Sequence, residues 1–406
     1  MGNCAHLLQL CCSGEGRHPL IDRWPPGTLL AEVLILRERT PGECRVAATP
    51  ETVRRLLARG LTLQVEQSAG LAAGYADHEF EAAGARLVAP GPELGAGVDA
   101  VLCVNPPAGE VLNQLRPGAL LAGLLSPYGA SALVEQLQAR RVSALALELL
   151  PRISRAQTMD VLSSQANIAG YKAVLLAAAA LDRYVPMLMT AAGTIQPARA
   201  LILGAGVAGL QALATARRLG SVVYVSDVRP AAKEQVESLG GRFLSPPEQE
   251  ERPAEAGGYA KAASEAFLAA QRQQLADQLA LADMVICTAQ VPGRRAPLLI
   301  SDEMLAGMRP GSVVVDLAVA QGGNCAGTVC GQTVERHGVR LIGGDGLPSS
   351  VANHASALYA RNLAALVEHV LGEDGFQLDQ EDPIVAGCLF THDGACRFPD
   401  LVSGAN

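Results

Sequence analysis

The 406-residue sequence has few aromatic residues and a single tryptophan. It also lacks a basic cluster, and its net charge of −8 argues against nucleic acid as the main partner. No apolar run approaches the roughly 18–20 residues of a membrane-spanning helix, and the best candidate, Ala173–Leu181, is about half that length. We therefore expect no direct insertion into a membrane.

Cysteine pairs with metal-site spacing are also missing. The ten cysteines are scattered, and none falls into the C-x-x-C spacing that is typical of a zinc site. Their density is too low for a secreted disulfide scaffold. We therefore expect reduced, buried thiols, no metal site and a cytoplasmic location.

The first 28 residues differ from the rest of the chain. They contain the only tryptophan, three of the ten cysteines and a Pro-Pro-Gly break. Their apolar patch is too short for the core of a signal peptide, and no cleavage site follows it. Gly2 suggests myristoylation, but His6 stands where that signal needs serine or threonine. We interpret the segment as a flexible extension, or as the product of a start codon placed too early.

From Leu29 onward, short apolar runs alternate with helical stretches of about ten residues. Thr49 and Pro50, for example, mark the start of a helix that ends at Gly60. Strands separated by such helices form βαβ units and therefore parallel sheets. Because the chain is too long for one ordinary core, we predict two α/β domains, each a Rossmann-like doubly wound parallel sheet.

The pattern divides the chain into four segments and one insertion. The predicted segments are an extension at residues 1–28, a first domain at 29–163 plus 345–378, a second, nucleotide-binding domain at 164–344, and a tail at 379–406. Ser163 to about Leu181 is predicted to form one long helix, because its apolar spacing is helical and it has no β-branched run. Residues 245–267 are rich in Pro, Glu and Gly, which indicates an exposed loop.

The sharpest motif is a glycine fingerprint between a predicted strand and a predicted helix. Gly204, Gly206 and Gly209 form G-x-G-x-x-G, in which the glycines permit a tight turn, close approach of a pyrophosphate, and helix–strand packing. The helix N-terminus then presents free N–H groups to the phosphates. Asp227 ends the next strand, where a carboxylate accepts hydrogen bonds from the adenosine ribose. This charge favours NAD(H) over NADP(H), although Arg229 two positions later leaves the second cofactor open.

A polar cluster precedes the long helix. Within residues 151–170 the sequence brings together Arg152, Arg155, Gln157, Asp160, Ser163 and Ser164. The plain interpretation is a charged helix start, with serines as caps and Arg155 in a surface ion pair. The other is a loop that contacts the ligand at the edge of the nucleotide cleft. Similarly, Asp316 at the end of an apolar strand is either a turn former or a ligand contact.

Taken together, the motifs resemble those of one family. They are ERTPGECRVAATPETV, PRISRAQTMDVLSSQANIAGYKAV, MTAAGTIQPARALILGAGVAGLQA, SDVRPAAKEQVESLGGRF, GGYAKAASEAF and PGSVVVDLAVAQGGNC. From about Leu29 to the C-terminal region, the chain resembles the NAD(H)-binding alpha subunit, or domain I, of proton-translocating NAD(P) transhydrogenases. The resemblance implies two Rossmann-like domains flanking a nucleotide cleft and a homodimer.

The same resemblance implies an activity and partners. The family transfers a hydride directly between bound NADH and NADP⁺ held by a separate NADP(H)-binding subunit. A membrane-embedded subunit couples that transfer to proton movement. The chain would then be peripheral, at the inner face of the plasma membrane, through these partners.

Matched residue by residue, the polar cluster resembles the family's loop beside the nicotinamide. The resemblance implies that Arg152 and Gln157 orient the carboxamide and ribose, and that Asp160 and Ser163 complete the polar network. Direct hydride transfer needs positioning more than proton chemistry, which fits a set without a general acid. Tyr259 matches a mobile loop that closes over the nucleotide. Further matches to NAD contacts are Ile153, Ser154, Thr158, Met159, Val207, Val228, Arg229, Gly258, Gln271 and Gln290.

Two other functions remain open at this point. Alanine dehydrogenases share the fold and several motifs, but their lysine, histidine and aspartate for amino-acid chemistry align with Asn105, Ser126 and Ala320. Only Arg45 of that substrate set has a counterpart. A non-catalytic NAD(H) sensor is the second alternative. Ser350 stands where transhydrogenase members usually have arginine, which weakens the expectation of a partner or dimer contact there.

Overall fold

The computed structural model of the chain describes residues 31–245, 265–291 and 293–402. The predicted extension at residues 1–28 lies outside the described residues, as do Gly258 and Tyr259. The described chain forms one sheet of eight strands and one of seven, together with two small two-stranded sheets. The predicted α/β class with two Rossmann-like sheets is confirmed.

The first sheet is built mainly by the N-terminal half of the chain. Its parallel strands are β1 Ala31–Ile35, β2 Leu61–Glu66, β3 Arg86–Val88, β4 Ala100–Leu102, β5 Leu120–Gly123 and β6 Ser143–Ala146. The accompanying helices are α1 Pro50–Leu57, α2 Asp77–Ala82, α3 Gly109–Gln114, α4 Ser131–Ala139 and α5 Val161–Ala180. Helix α1 begins as predicted, because the Thr49 side chain accepts a hydrogen bond from the Thr52 backbone and Pro50 follows it.

The second sheet follows a hairpin of strands β7 Leu188–Thr190 and β8 Gly193–Ile195. Its strands are β9 Arg199–Leu203, β10 Val222–Ser226, β11 Arg242–Phe243, β12 Met284–Cys287, β13 Val313–Asp316, β14 Thr333–Arg336 and β15 Val339–Gly343. Its helices are α6 Val207–Arg218, α7 Ala232–Ser238, α8 Glu265–Leu279 and α9 Asp302–Ala306. The strand order β11-β10-β9-β12-β13-β15-β14 is that of a dinucleotide-binding sheet with an added antiparallel edge strand.

The last segment of the chain returns to the first sheet. It contains helix α10 Ala352–His369, a small hairpin of β16 Leu371–Gly372 and β17 Gly375–Phe376, helix α11 Pro383–Cys388, strands β18 Leu389–His392 and β19 Ala395–Cys396, and helix α12 Pro399–Val402. Strand β18 pairs antiparallel with β6, and α10 and α11 contribute side chains to the first core. Residues 383–396 therefore belong to the first sheet and core, whereas the sequence suggested a separate tail.

Helix α5 belongs to both halves of the molecule. Val161 at its start packs in the first core, while Ala173, Val174 and Ala177 pack in the second. Its observed bounds confirm the predicted long helix. Within the described residues no helix is both long and apolar enough to cross a membrane, and all seven cysteines there are free.

A glycine allows α5 to pack very closely on α6. A Cβ built on Gly170 would lie 2.0 Å from the carbonyl oxygen of Ala208, in the first turn of α6. The two helix backbones therefore touch at this point. The contact fixes the distance between α5 and the glycine fingerprint.

We expect Gly170→Ala to destabilise the protein. Alanine in a helix interior is usually better than glycine by about 1 kcal/mol, but the clash with Ala208 forces the helices apart, at a cost of typically 1–3 kcal/mol. Calorimetry should show a lower midpoint of thermal unfolding. Gly109→Ala in α3 is the control, because a Cβ there meets only the flexible end of Gln136, at 3.2 Å. A midpoint for Gly170→Ala at or above that of the unmutated chain would contradict the close packing.

Candidate nucleotide-binding site

The glycine fingerprint forms the turn between β9 and α6. Gly204 has φ +104°, which glycine tolerates, and a Cβ on Gly209 would lie 1.8 Å from the Gly204 carbonyl oxygen. Gly206 differs, because a Cβ there would meet no atom within 4 Å. Gly206 thus borders open space at the N-terminus of α6, where the backbone is free to meet a phosphate group. Gly204 and Gly209 thus have the turn and packing roles that the motif predicts, and contact of Gly206 with a pyrophosphate stays a prediction.

Asp227 lies just after β10, beside the fingerprint. Its Oδ2 accepts a hydrogen bond from the Ala205 backbone N–H at 2.6 Å and from Arg229 Nη2 at 2.9 Å. Its Oδ1 accepts from the backbone N–H and Nε of Arg229, at 2.8 and 2.9 Å. Burial acts to raise the pKa of Asp227, but the hydrogen bonds from Arg229 and Ala205 outweigh it and lower that pKa. The carboxylate is thus ionised at neutral pH, and the Arg229 guanidinium donates to both of its oxygens.

The other residues matched to NAD contacts in the second domain lie on different elements of that domain. Val207, in the first turn of α6, and Val228, next to Asp227, are both exposed. Gln290 follows β12, and its Nε2 donates to the Leu317 carbonyl at 2.6 Å, which joins two loops at the carboxyl edge of the sheet. Gln271 is half-buried on α8, and among the described residues no hydrogen bond joins it to the fingerprint.

Two residues shape the loop around Gln290. Asn324, which the sequence did not single out, accepts a hydrogen bond from the Ala289 N–H and donates to the carbonyls of Ala289 and Pro297, all within 3.0 Å. Asp316 is fully buried and accepts from the backbone N–H groups of Ala318, Asn324 and Cys325. Asp316 therefore organises the turn, which agrees with the first of its two interpretations.

The polar loop before α5 is a 3₁₀ turn at Ser154–Met159. Most side chains of the loop and this turn are exposed, namely those of Arg152, Ile153, Ser154, Arg155, Gln157 and Thr158. Neither Arg152 nor Gln157 has a side-chain hydrogen bond or ion pair with another described residue. Met159 differs, because its side chain is buried in the first core. Any contact of Met159 with a nucleotide is thus limited to its backbone, a restriction that the sequence did not indicate.

Asp160 and Ser163 form the cap of helix α5. Asp160 Oδ1 accepts from the Ser163 backbone N–H at 2.9 Å, and Oδ2 accepts from the Ser163 hydroxyl at 2.5 Å. The helix begins at Val161, so Asp160 is the N-cap, whereas the sequence suggested the serines. Ser164 Oγ instead donates to the Val161 carbonyl at 3.0 Å. Asp160 and Ser163 therefore form a polar pair, and their hydrogen bonds fix the start of α5.

Neighbouring elements hold this loop in place. Arg155, the exposed arginine of the cluster, lies 3.6 Å from Asp382 and forms a surface ion pair, as the plain interpretation predicted. Asn362 of α10 donates from Nδ2 to the Thr158 carbonyl at 2.8 Å. The loop backbone is thus tied to the first domain while Arg152 and Gln157 face solvent.

A buried ion pair lies below the loop. Glu43 and Arg45 meet through Oε2 and Nη2 at 2.6 Å and through Oε1 and Nε at 2.8 Å. Arg45 Nη1 donates to Oε1 of Gln165, in the first turns of α5, at 3.0 Å. Burial acts to raise the pKa of Glu43, but hydrogen bonds and the positive charge of Arg45 lower it to about 2. No local pattern pointed to Gln165, because its partner is 120 residues away.

We expect Asp227→Asn to weaken NADH binding by roughly 10–100-fold, because a neutral amide loses a charge-assisted hydrogen bond to the ribose. NADPH binding should weaken less or improve. Titration calorimetry with each nucleotide measures both affinities. Arg229→Ala should bind NADH at least as tightly as the unmutated chain, since it frees the carboxylate oxygens to which Arg229 now donates. Asp302→Asn, in an exposed ion pair with Arg336, is the control for charge. Unchanged NADH affinity in Asp227→Asn would contradict the assignment.

Known proteins resemble this chain over nearly its full length. Two family models match, "Alanine dehydrogenase/PNT, N-terminal domain" at residues 34–169 and "Alanine dehydrogenase/PNT, C-terminal domain" at residues 173–399. A protein of Rhodospirillum rubrum, named as the first part of NAD(P) transhydrogenase subunit alpha, is 45% identical over 378 residues, which cover 91% of this chain and 98% of that protein.

Solved structures agree with these matches. The crystal structure of transhydrogenase from Sinorhizobium meliloti has a TM-score of 0.79 at 42% identity and covers 90% of this chain and 98% of its own. A structure of L-alanine dehydrogenase has a TM-score of 0.77 at 26% identity, with coverage of 92% and 99%. The chain therefore belongs to the alanine dehydrogenase/PNT family and, within it, to the NAD(P) transhydrogenase alpha subunits.

Proposed function

We propose that the chain binds NAD(H) in the cleft and exchanges a hydride directly with NADP(H) held by a partner subunit. The proposal rests on the close packing of α5 and α6. Gly170 touches the first turn of α6, and Ser163 lies seven residues before Gly170, or roughly 10 Å along the helix axis. The polar loop therefore lies within one dinucleotide length of the phosphate site at Gly206.

The residues of this loop suit a transfer that needs positioning. NADH supplies the hydride itself, so the protein has to orient the ring and exclude water. Arg152 and Gln157 offer hydrogen-bond donors and an amide acceptor on a loop whose backbone is fixed by Asp160 and Asn362. The loop contains no histidine, lysine, cysteine or tyrosine, which are side chains that commonly act as general acids or bases.

The proposed partners follow from the relatives. The Rhodospirillum rubrum protein is named as one portion of an alpha subunit, so further subunits complete that enzyme. We infer an NADP(H)-binding partner, a membrane-embedded partner that couples transfer to proton movement, and a homodimer of this chain. The chain would then be a peripheral component at the inner face of the plasma membrane.

The structure also bears on the amino-acid dehydrogenase alternative. Asn105 takes the aligned position of the missing lysine, and its Nδ2 donates to Glu38 and Glu43 at 3.2 and 3.0 Å. Arg45, the one retained residue, directs two of its three nitrogens to Glu43 and the third to Gln165. A substrate carboxylate would need a positive charge here, but Asn105 is neutral and Arg45 is already paired with Glu43. This arrangement supports the transhydrogenase proposal.

We expect Arg152→Ala to slow hydride transfer from NADH to an NADP⁺ analogue by roughly 10–100-fold, because the nicotinamide loses an orienting donor. The affinity for NADH should change by less than about threefold, since the phosphate and ribose contacts remain. The assay combines the purified chain with the NADP(H)-binding partner subunit and follows stopped-flow absorbance. Arg155→Ala, three residues away on the same exposed loop, should retain the unmutated rate, because its exposed ion pair with Asp382 contributes little to holding the loop.

If Arg152→Ala transferred hydride at the unmutated rate, the loop would be only a charged helix start without a role in transfer. Binding of NADH without any transfer in the unmutated chain would favour the alternative of a non-catalytic NAD(H) sensor.

We also expect no turnover when pyruvate, ammonia and NADH are mixed with the chain. The reaction needs a proton-transfer group and a cation for the carboxylate, and Asn105, Ser126 and Ala320 provide neither. Loss of NADH absorbance is the measurement, with an alanine dehydrogenase as positive control. Measurable amination of pyruvate would replace the proposed function with that of the dehydrogenase.

A further inference from the structure

A buried arginine links the loop before α1 to the start of helix α5. Arg45 lies in the loop before α1, and only 8% of it is exposed. Glu43 occupies one edge of its guanidinium, through Nε and Nη2, and Nη1 on the other side donates to Gln165. A planar, rigid fork can bond in two directions at once, which a lysine ammonium on a flexible stem cannot reproduce.

Further hydrogen bonds hold Glu43 and the backbone beside Arg45 in place. Glu43 Oε1 accepts from the Ser349 hydroxyl at 2.9 Å, and Glu43 Oε2 accepts from Asn105 Nδ2 at 3.0 Å. The backbone N–H of Val46 donates to Ser356 Oγ of α10 at 3.0 Å. The arginine is therefore held by the first sheet and by α10 together.

Gln165 receives the link on α5. Its Oε1 accepts from Arg45, while its Nε2 donates to the Ala355 carbonyl at 3.1 Å and to Ser164 Oγ at 3.3 Å. Gln165 lies two residues after Ser163 and five after Asp160, the N-cap. Its contacts therefore set the rotation of the first turns of α5 about the helix axis.

We propose that Arg45 and Gln165 are positioning residues for hydride transfer. They hold the start of α5, and with it the loop that bears Arg152 and Gln157, at the nicotinamide end of the cleft. This inference rests on the proposed function. It gives the retained arginine a role that needs no amino-acid substrate, since its fork binds the protein's own Glu43 and Gln165.

The test replaces the acceptor and leaves the ion pair intact. Gln165→Met keeps the shape of the side chain and removes its bonds to Arg45, Ala355 and Ser164. Gln64→Met is the matched control, because Gln64 is 8% exposed against 7% for Gln165 and also has a polar partner, Glu32. We expect Gln165→Met to slow hydride transfer roughly 10–100-fold at saturating NADH, with little change in NADH affinity. Gln64→Met should transfer at the unmutated rate.

A second variant separates positioning from general loss of stability. Arg45→Lys retains a charge for Glu43 but cannot span to Gln165, so it should show the same slow transfer as Gln165→Met. The double variant should be no slower than Gln165→Met alone, because the Arg45–Gln165 bond is already absent from that variant. The midpoint of thermal unfolding should shift by similar amounts for Gln165→Met and Gln64→Met.

Two outcomes would overturn the inference. One is Gln165→Met with the transfer rate of Gln64→Met, and the other is additive loss in the double variant. Failure of the proposed function can be told apart from failure of this inference. In that case the unmutated chain with its NADP(H)-binding partner would transfer no hydride at all. The same titrations would still report NADH binding in that case.

Discussion

The fold depends on two places where backbone lies directly against backbone. At Gly209 helix α6 approaches the turn after β9, and at Gly170 helix α5 approaches α6. Neither contact leaves room for even one carbon atom, so the three elements form a rigid unit. The glycine fingerprint, the long helix and the polar loop keep their distances because this unit does not deform easily.

Local patterns were sufficient to predict much of this arrangement. The role of each fingerprint glycine depends on its near neighbours in the chain, and the structure gives Gly204, Gly206 and Gly209 the predicted surroundings. The alternation of strands and helices likewise predicted both sheets. The cap of α5 was less certain, since Asp160, Ser163 and Ser164 are all good N-caps and only the backbone decides among them.

Long-range contacts account for what the sequence could not show. Gln165 looks like an ordinary helix residue until Arg45 approaches it from 120 residues away. Strand β18 pairs antiparallel with β6 near the edge of the first sheet, and a βαβ pattern does not indicate such a pairing. Gly170 did carry a weak signal, since a glycine within a run of alanine and leucine costs helix stability unless close packing requires it.

The ion pair between Asp227 and Arg229 affects the charge of the protein surface beside the glycine fingerprint. The Arg229 side chain is 61% exposed, so its attachment to Asp227 is weak and readily exchanged. In the proposed complex with NAD(H), a ribose that takes over the carboxylate would release the guanidinium into solvent. The surface charge around an occupied site would then differ from that around an empty one, and a docking protein could sense that difference without touching the nucleotide.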